Sequence, residues 1–309
     1  MKVAVPLPAS LAVVISASLL TILLLGCAVK ETRRLPPSQI APLLEASLEE
    51  LLGRIQDLHD TIRSINTRVE LIPTTGSAYS GIIEEYHDVR AFILAQRTAD
   101  DVANGTHIRV IGQAPVVRKN IFDMVADEEG FRIYIPSKNK FVVGGPGLEA
   151  RSEKPIENLR PQHLVEALFV APPQASSIHL LEENEIGGTR YYVVSELAAY
   201  GQGELAWQRK WWFRRSNLSL TRVQGFGRRG QLIADIHYEV WTQHGELHYP
   251  HWILLVRPQE DYRLELRVEK LELNEKIEAE KFELKKPAEA ELVDLSKPQR
   301  EAGAAAPPM

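Results

Sequence analysis

Residues 40–72 read IAPLLEASLEELLGRIQDLHDTIRSINTRVELI, and the rhythm of their apolar side chains changes once. Ile40, Leu43, Leu44, Leu48, Leu51, Leu52, Ile55, Leu58 and Ile62 recur at steps of three and four, which lines them along one face of an α-helix. Ser38 stands ahead of the run as its N-cap. From Ile65 the step becomes two, the alternation of a strand with one face inward. A helix with so wide an apolar stripe needs a large surface to pack on, and the strands that follow are its natural partner.

Working outward, alternation predicts strands over 66–72, 81–86, 91–96, 106–112, 120–126, 131–136 and 140–143, separated by turn residues such as Asn104-Gly105 and Glu129-Gly130. The run Gly144-Gly145-Pro146-Gly147 breaks the series, and a short helix is expected at 161–168. A second series spans 178–274, folded back at Gly187-Gly188, Ser216-Asn217, 227–230 and His244-Gly245. One long helix, many meandering strands and a mid-chain helix give an α+β, mainly antiparallel β fold: a strongly curved sheet closed around a helix.

The chain has 309 residues, 44% hydrophobic and 25% charged, with a net charge of −5. That is ample for a core, either one large β domain or two small ones. Mild acidity gives no reason to expect nucleic acid. Cys27 is the only cysteine, so no disulfide forms within the chain and no cysteine metal site exists.

Ahead of it, Lys2 is followed by an apolar run over 11–25 that closes on Leu24-Leu25-Gly26-Cys27. The run is short for a spanning helix and has the layout of an export signal. Its end resembles the lipobox of bacterial lipoproteins, which implies a Cys27 sulfur diacylated with palmitate-type chains and cleavage that leaves Cys27 first. Leu25 is bulkier than the residue usual before the glycine; an uncleaved anchor helix is the other reading, and both imply export and tethering. Ala28 stands where aspartate favours retention in the inner membrane, so the expectation is the outer membrane, facing the periplasm. The expected division is residues 1–26 signal peptide, 27–37 lipidated tether, 38–295 folded domain and 296–309 disordered tail.

Several phrases of the domain resemble the LolA/LolB family of lipoprotein carriers and receptors. After the N-terminal helix come Ile108-Arg109-Val110-Ile111-Gly112, a loop, then Phe122-Asp123-Met124-Val125-Ala126-Asp127-Glu128-Glu129-Gly130 and Ile133-Tyr134-Ile135-Pro136. Trp212-Phe213-Arg214-Arg215-Ser216-Asn217-Leu218 resembles a later hairpin of the family, and Phe282-Glu283-Leu284-Lys285-Lys286-Pro287 its closing phrase, an aromatic strand running into proline. The resemblance implies a half-barrel of about eleven strands with the helices as a lid over an apolar cavity. It implies as partners a membrane, a lipoprotein or lipid cargo and a periplasmic carrier protein, and it implies no cofactor, metal or catalysis.

Candidate cavity residues are Trp211 and Phe213, which share a strand face, and Trp252 and Leu254 on a strand apolar on both faces. The same alternation would equally fill an ordinary sandwich core. In the family a lone leucine on an inter-strand turn helps to deliver lipoproteins to the membrane. The corresponding stretch here reads Gln113-Ala114-Pro115-Val116-Val117-Arg118-Lys119, with Val116 and Val117 as an apolar tip beside two cations. A strand end folded under the helix is the alternative.

Other motifs carry less. Gly225-Phe226-Gly227-Arg228-Arg229-Gly230 spells a dinucleotide fingerprint, but a strand-like run follows where a helix is required, so a glycine hairpin is expected. His237, His244, His248 and His251 lack the spacing of a compact metal motif. Two function classes remain: a tethered module that binds and transfers acyl chains, and an assembly lipoprotein with a filled core that holds a partner protein.

Overall fold

The computed structural model describes residues 43–77, 82–85, 88–98, 105–145 and 160–295. The signal, Cys27, Ser38, Ile40 and the C-terminal tail lie outside them. Leu43–Met309 forms one compact unit.

The first helix, α1 (Leu48–Thr61), starts later than the apolar stripe suggests. Ser47 is its cap: its hydroxyl accepts from the Glu50 amide at 3.2 Å while the Ser47 amide donates to the Glu50 carboxylate at 2.7 Å. That reciprocal pair satisfies two of the amides a helix start leaves open, and it fixes the start at Leu48. Residues 43–47 form no regular element, and the Leu44 amide donates to the Arg215 carbonyl at 2.8 Å.

The strands are β1 (Ser64–Ser77), β2 (Ile82–Glu85), β3 (Val89–Arg97), β4 (Thr106–Gln113), β5 (Asn120–Asp127), β6 (Gly130–Ile135) and β7 (Lys140–Gly144). After α2 (Pro161–Leu168) come β8 (Ile178–Ile186), β9 (Thr189–Tyr200), β10 (Glu204–Arg214), β11 (Ser219–Phe226), β12 (Leu232–His244), β13 (Leu247–Arg257), β14 (Tyr262–Leu273) and β15 (Glu291–Asp294). All belong to one sheet in the order β15-β7-β6-β5-β4-β3-β1-β14-β13-β12-β11-β10-β9-β8, with β2 a flap on β1. Pairing is antiparallel except between β15 and β7. The two series join where β1 pairs with both β3 and β14, so the sheet is continuous across them and ends open at β15 and β8.

The expected half-barrel with two helices is therefore present, with fifteen strands among the described residues rather than about eleven. One predicted strand is not one. Phe282 closes a 3₁₀ turn (Ala279–Phe282), and the closing strand is β15, nine residues further on. Phe282 is buried there against His107, edge to face, at 5.6 Å between ring centroids.

The core lies on the concave face. Leu51 and Ile55 of α1 and Leu164 and Leu168 of α2 are buried against Ile65, Val69, Ile93, Ile108, Val110, Trp211, Phe213, Ile236, Ile253, Leu255, Leu264 and Leu266 from alternate strand positions. Burying each such side chain contributes about 1.5–3 kcal/mol. Among the described residues no helix is long and apolar enough to cross a membrane.

Candidate functional site

Two rows of side chains bound the opening beside α1. From the helix comes Leu58 and, just past its end, Ile62, with Arg54 and Asp57 on the exposed side. From the sheet come Phe213 at the end of β10, Leu218 in the following turn, Leu220 of β11, Trp241 of β12 and Leu247 of β13. Together they line an open cleft of about 530 Å³, to which Thr61, Asn217, Ser219, Glu246 and His248 add polar groups. This lies within the ~300–1,000 Å³ range of small-molecule sites.

Two backbone irregularities build that wall. Leu218 takes a left-handed conformation (φ 54°), and the turn is held by its amide donating to the Arg214 carbonyl at 2.8 Å. Val240 does the same in mid-strand (φ 54°), and the pairing of β12 with β13 skips it, Glu239 facing Trp252 and Trp241 facing Pro250. The register is the same on either side, so no residue is inserted; the left-handed turn of the strand at Val240 brings Trp241 to the concave side with Tyr238, 6.2 Å between ring centroids. Its indole N–H donates to the Leu220 carbonyl at 2.9 Å.

The cavity candidates divide by face. Phe213 borders the cleft and is 1% exposed; Trp211 is fully buried in the core behind it. Trp252 and Leu254 lie on the opposite face of β13 from the buried Ile253 and Leu255. Trp252 donates from its indole to Glu265 at 2.8 Å, on the outer surface. Leu58, Ile62, Leu218, Leu220, Trp241 and Leu247 are additions that the sequence did not single out.

Charges seat α2 over the other end of the concave face. Arg257, buried, pairs with Glu166 of α2 at 3.0 Å and with Glu260 at 3.2 Å. The protein packed around the Glu166 carboxyl raises it above its usual range, with Arg257 opposing, although the side chain is half exposed to solvent that screens the effect. His163 of α2 hydrogen-bonds the Tyr262 hydroxyl. Burial, reinforced by Arg257 and Arg160, pushes its imidazole down to about 3, so it is neutral near pH 7. These pairs fix where α2 sits more than they add net stability.

The β4–β5 turn lies at the sheet end opposite the cleft. Val116 is 92% and Val117 72% exposed, and Arg118 and Lys119 are exposed beside them. The Arg118 amide donates to the Ala114 carbonyl and the Ala114 amide to the Lys119 carbonyl, both at 3.0 Å, closing the turn with Arg118 left-handed (φ 51°). The glycine-rich stretch is the β11–β12 hairpin, with the Gly227 amide donating to the Gln231 carbonyl at 2.8 Å. His244 and His251 meet through their Nε2 atoms at 2.8 Å, and among the described residues no three His, Cys, Asp or Glu side chains converge on a metal-sized site.

No family model and no curated protein matches the chain. Its fold is similar to that of a DUF1329 family protein from Desulfovibrio piger ATCC 29098, with a TM-score of 0.54 at 12% identity over 76% of this chain and 95% of that one. Also similar are a putative outer membrane lipoprotein-sorting protein domain from Vibrio parahaemolyticus (TM-score 0.48, 14% identity, 76% and 95% covered) and a LolA superfamily protein from Nitrosomonas europaea (0.47, 12%, 75% and 96%). The chain thus shares the fold of the DUF1329 family protein. At these identities the likeness is one of fold, and function has to be argued from the site.

Proposed function

We propose that this protein is an envelope lipoprotein, anchored through lipid on Cys27 and facing the periplasm from the outer membrane. It takes acyl chains of a lipoprotein or lipid into the cleft beside α1 and passes them to or from a membrane. The observation that carries the reading is the cleft: an opening of about 530 Å³ with walls of Phe213, Leu218, Leu220, Trp241 and Leu247 and α1 as its fourth side. An acyl chain gains about 0.8 kcal/mol per CH₂ buried, nearly what a membrane offers, so transfer in either direction needs only a small bias.

The exposed valine tip supports a membrane contact: Val116 and Val117 enter the interface while Arg118 and Lys119 meet headgroup phosphates. The resemblance to the family adds a periplasmic carrier protein as the donor of cargo. The tight packing of Leu51, Ile55, Leu164 and Leu168 on the concave face favours the second reading, an assembly protein that holds a partner.

Uptake of a fluorescent fatty acid by the Leu43–Met309 unit separates the two. The carrier reading expects saturable uptake that Leu218→Arg abolishes, and an assembly protein takes up none. Val116→Glu tests the tip: wild-type transfer of bound fatty acid to vesicles in that variant removes its role.

A further inference from the structure

Of the four histidines on β12 and β13, His237 is held by Asp235 at 3.3 Å and His248 lines the cleft. His244 and His251 face each other. Their Nε2 atoms are 2.8 Å apart, their ring planes differ by 14°, and their ring centres are 5.1 Å apart. That last distance is the nitrogen gap plus one ring radius at either end, so the two nitrogens point straight at each other. The Thr242 hydroxyl lies 3.0 Å from the same His244 nitrogen.

The ladder does not pair these two residues. Glu239 faces Trp252 and Trp241 faces Pro250, which sets His251 across from Val240, whereas His244 faces Leu247. Val240 and His244 are four residues apart, about 13 Å of straight strand. The rings come within reach where β12 turns at the left-handed Val240.

Two nitrogens on one line can be bridged by a proton, one ring donating to the other, or by a cation that both rings ligate. The donor set selects the cation. Zinc takes four protein ligands, or three with water, and calcium and magnesium take carboxylates and carbonyls. Among the described residues no third His, Cys, Asp or Glu joins the pair, which disfavours all three. Univalent copper, a soft ion with a filled d shell, is satisfied by two ligands in line, and imidazole is a good donor to copper. Metal–imidazole bonds run about 2.0 Å, so a cation on that line needs the nitrogens about 4 Å apart, roughly 1 Å more than a shared proton does. Small rotations of two half-buried rings supply the difference.

We propose that His244 and His251 form a two-coordinate site for a soft univalent cation of the copper(I) class, which replaces the proton between them and clips β12 to β13. The hairpin tip between the two histidines, Glu246 to His248, lines the cleft, so the clip steadies that wall. The site stands whether or not the cleft takes acyl chains.

The test is isothermal titration of the Leu43–Met309 unit, which lacks the Cys27 thiol, with silver nitrate and separately with zinc nitrate in chloride-free buffer. Ag⁺ stands for Cu⁺ without its redox chemistry. One Ag⁺ binds per chain, and binds more tightly than Zn²⁺. Groups that merely support a metal's ligands are worth about 10–100-fold in affinity, so losing one of only two ligands costs more than about a hundredfold in His244→Gln or His251→Gln. His237→Gln binds as the wild type does. Ag⁺ binding that survives both substitutions, or Zn²⁺ binding as tight as that of Ag⁺, overturns the proposal. So does an absence of saturable binding, which means that a proton alone bridges the pair. Should a variant fail to fold in metal-free melts, imidazole ¹⁵N spectra of the wild type decide: Ag⁺ moves the Nε2 signals of His244 and His251, and unmoved signals refute the site.

Discussion

Replacing Phe213 by alanine tests the facing of the sheet and the wall of the cleft together. Phe213 is 1% exposed and belongs to the core that α1 covers. Removing a buried phenylalanine ring costs about 3–5 kcal/mol, the spread depending on how far neighbours collapse into the space. Here one side of the ring borders the cleft, so the new space joins an existing opening and the lower end, about 3 kcal/mol, applies. For a domain of this size that lowers the melting temperature by about 6–12 °C. Trp252→Ala is the control, because Trp252 is larger but lies on the outer face with its indole bonded to Glu265. It loses one hydrogen bond and part of a half-exposed ring, about 1–2 kcal/mol. Urea and thermal melts followed by far-ultraviolet circular dichroism avoid the tryptophan signal itself. A Trp252→Ala variant as damaged as Phe213→Ala would mean that the two strand faces are assigned the wrong way round.

Two further outcomes follow from particular residues. Val240 is β-branched, exposed and left-handed, a conformation that costs an L-residue about 1–2 kcal/mol and that asparagine tolerates, so Val240→Asn raises stability by about 1 kcal/mol with the cleft intact; a destabilised variant would contradict the left-handed backbone there. His163 titrates near 3 in the folded chain and near 6.5 unfolded, so between those values the unfolded chain binds a proton that the folded one refuses. Stability therefore falls as pH drops from about 6.5 toward 3, by at most about 1.4 kcal/mol per unit from this group, and His163→Gln flattens that part of the urea-midpoint profile; an identical slope in the variant contradicts the burial of the imidazole.

Much of the architecture was legible because alternation and turn chemistry are local. The predicted strands at 106–112 and 120–126 fall within β4 and β5, and α2 spans the predicted 161–168. Trp211 and Phe213 were correctly placed on one face because β10 alternates regularly between them. What escaped was set by interactions that the pattern does not carry. The apolar stripe reached back to Ile40, yet the helix starts at Leu48 because Ser47 and Glu50 cap each other, a four-residue signal that could have been read. Trp241 was missed because the left-handed Val240 turns β12 in mid-strand, a backbone conformation that a β-branched residue gives no sign of in the sequence. Trp252 and Leu254 sit on a strand apolar on both sides, where alternation alone cannot say which face is the inner one.

Native mass spectrometry of the Leu43–Met309 unit, exported to and purified from the envelope of the organism that makes it, bears most directly on the central claim that this half-barrel carries acyl chains. The account predicts a bound adduct of lipid or acylated-peptide mass, lost on collisional heating and absent from Leu218→Arg. A wild-type protein of bare polypeptide mass that also fails to take up added fatty acid would contradict it.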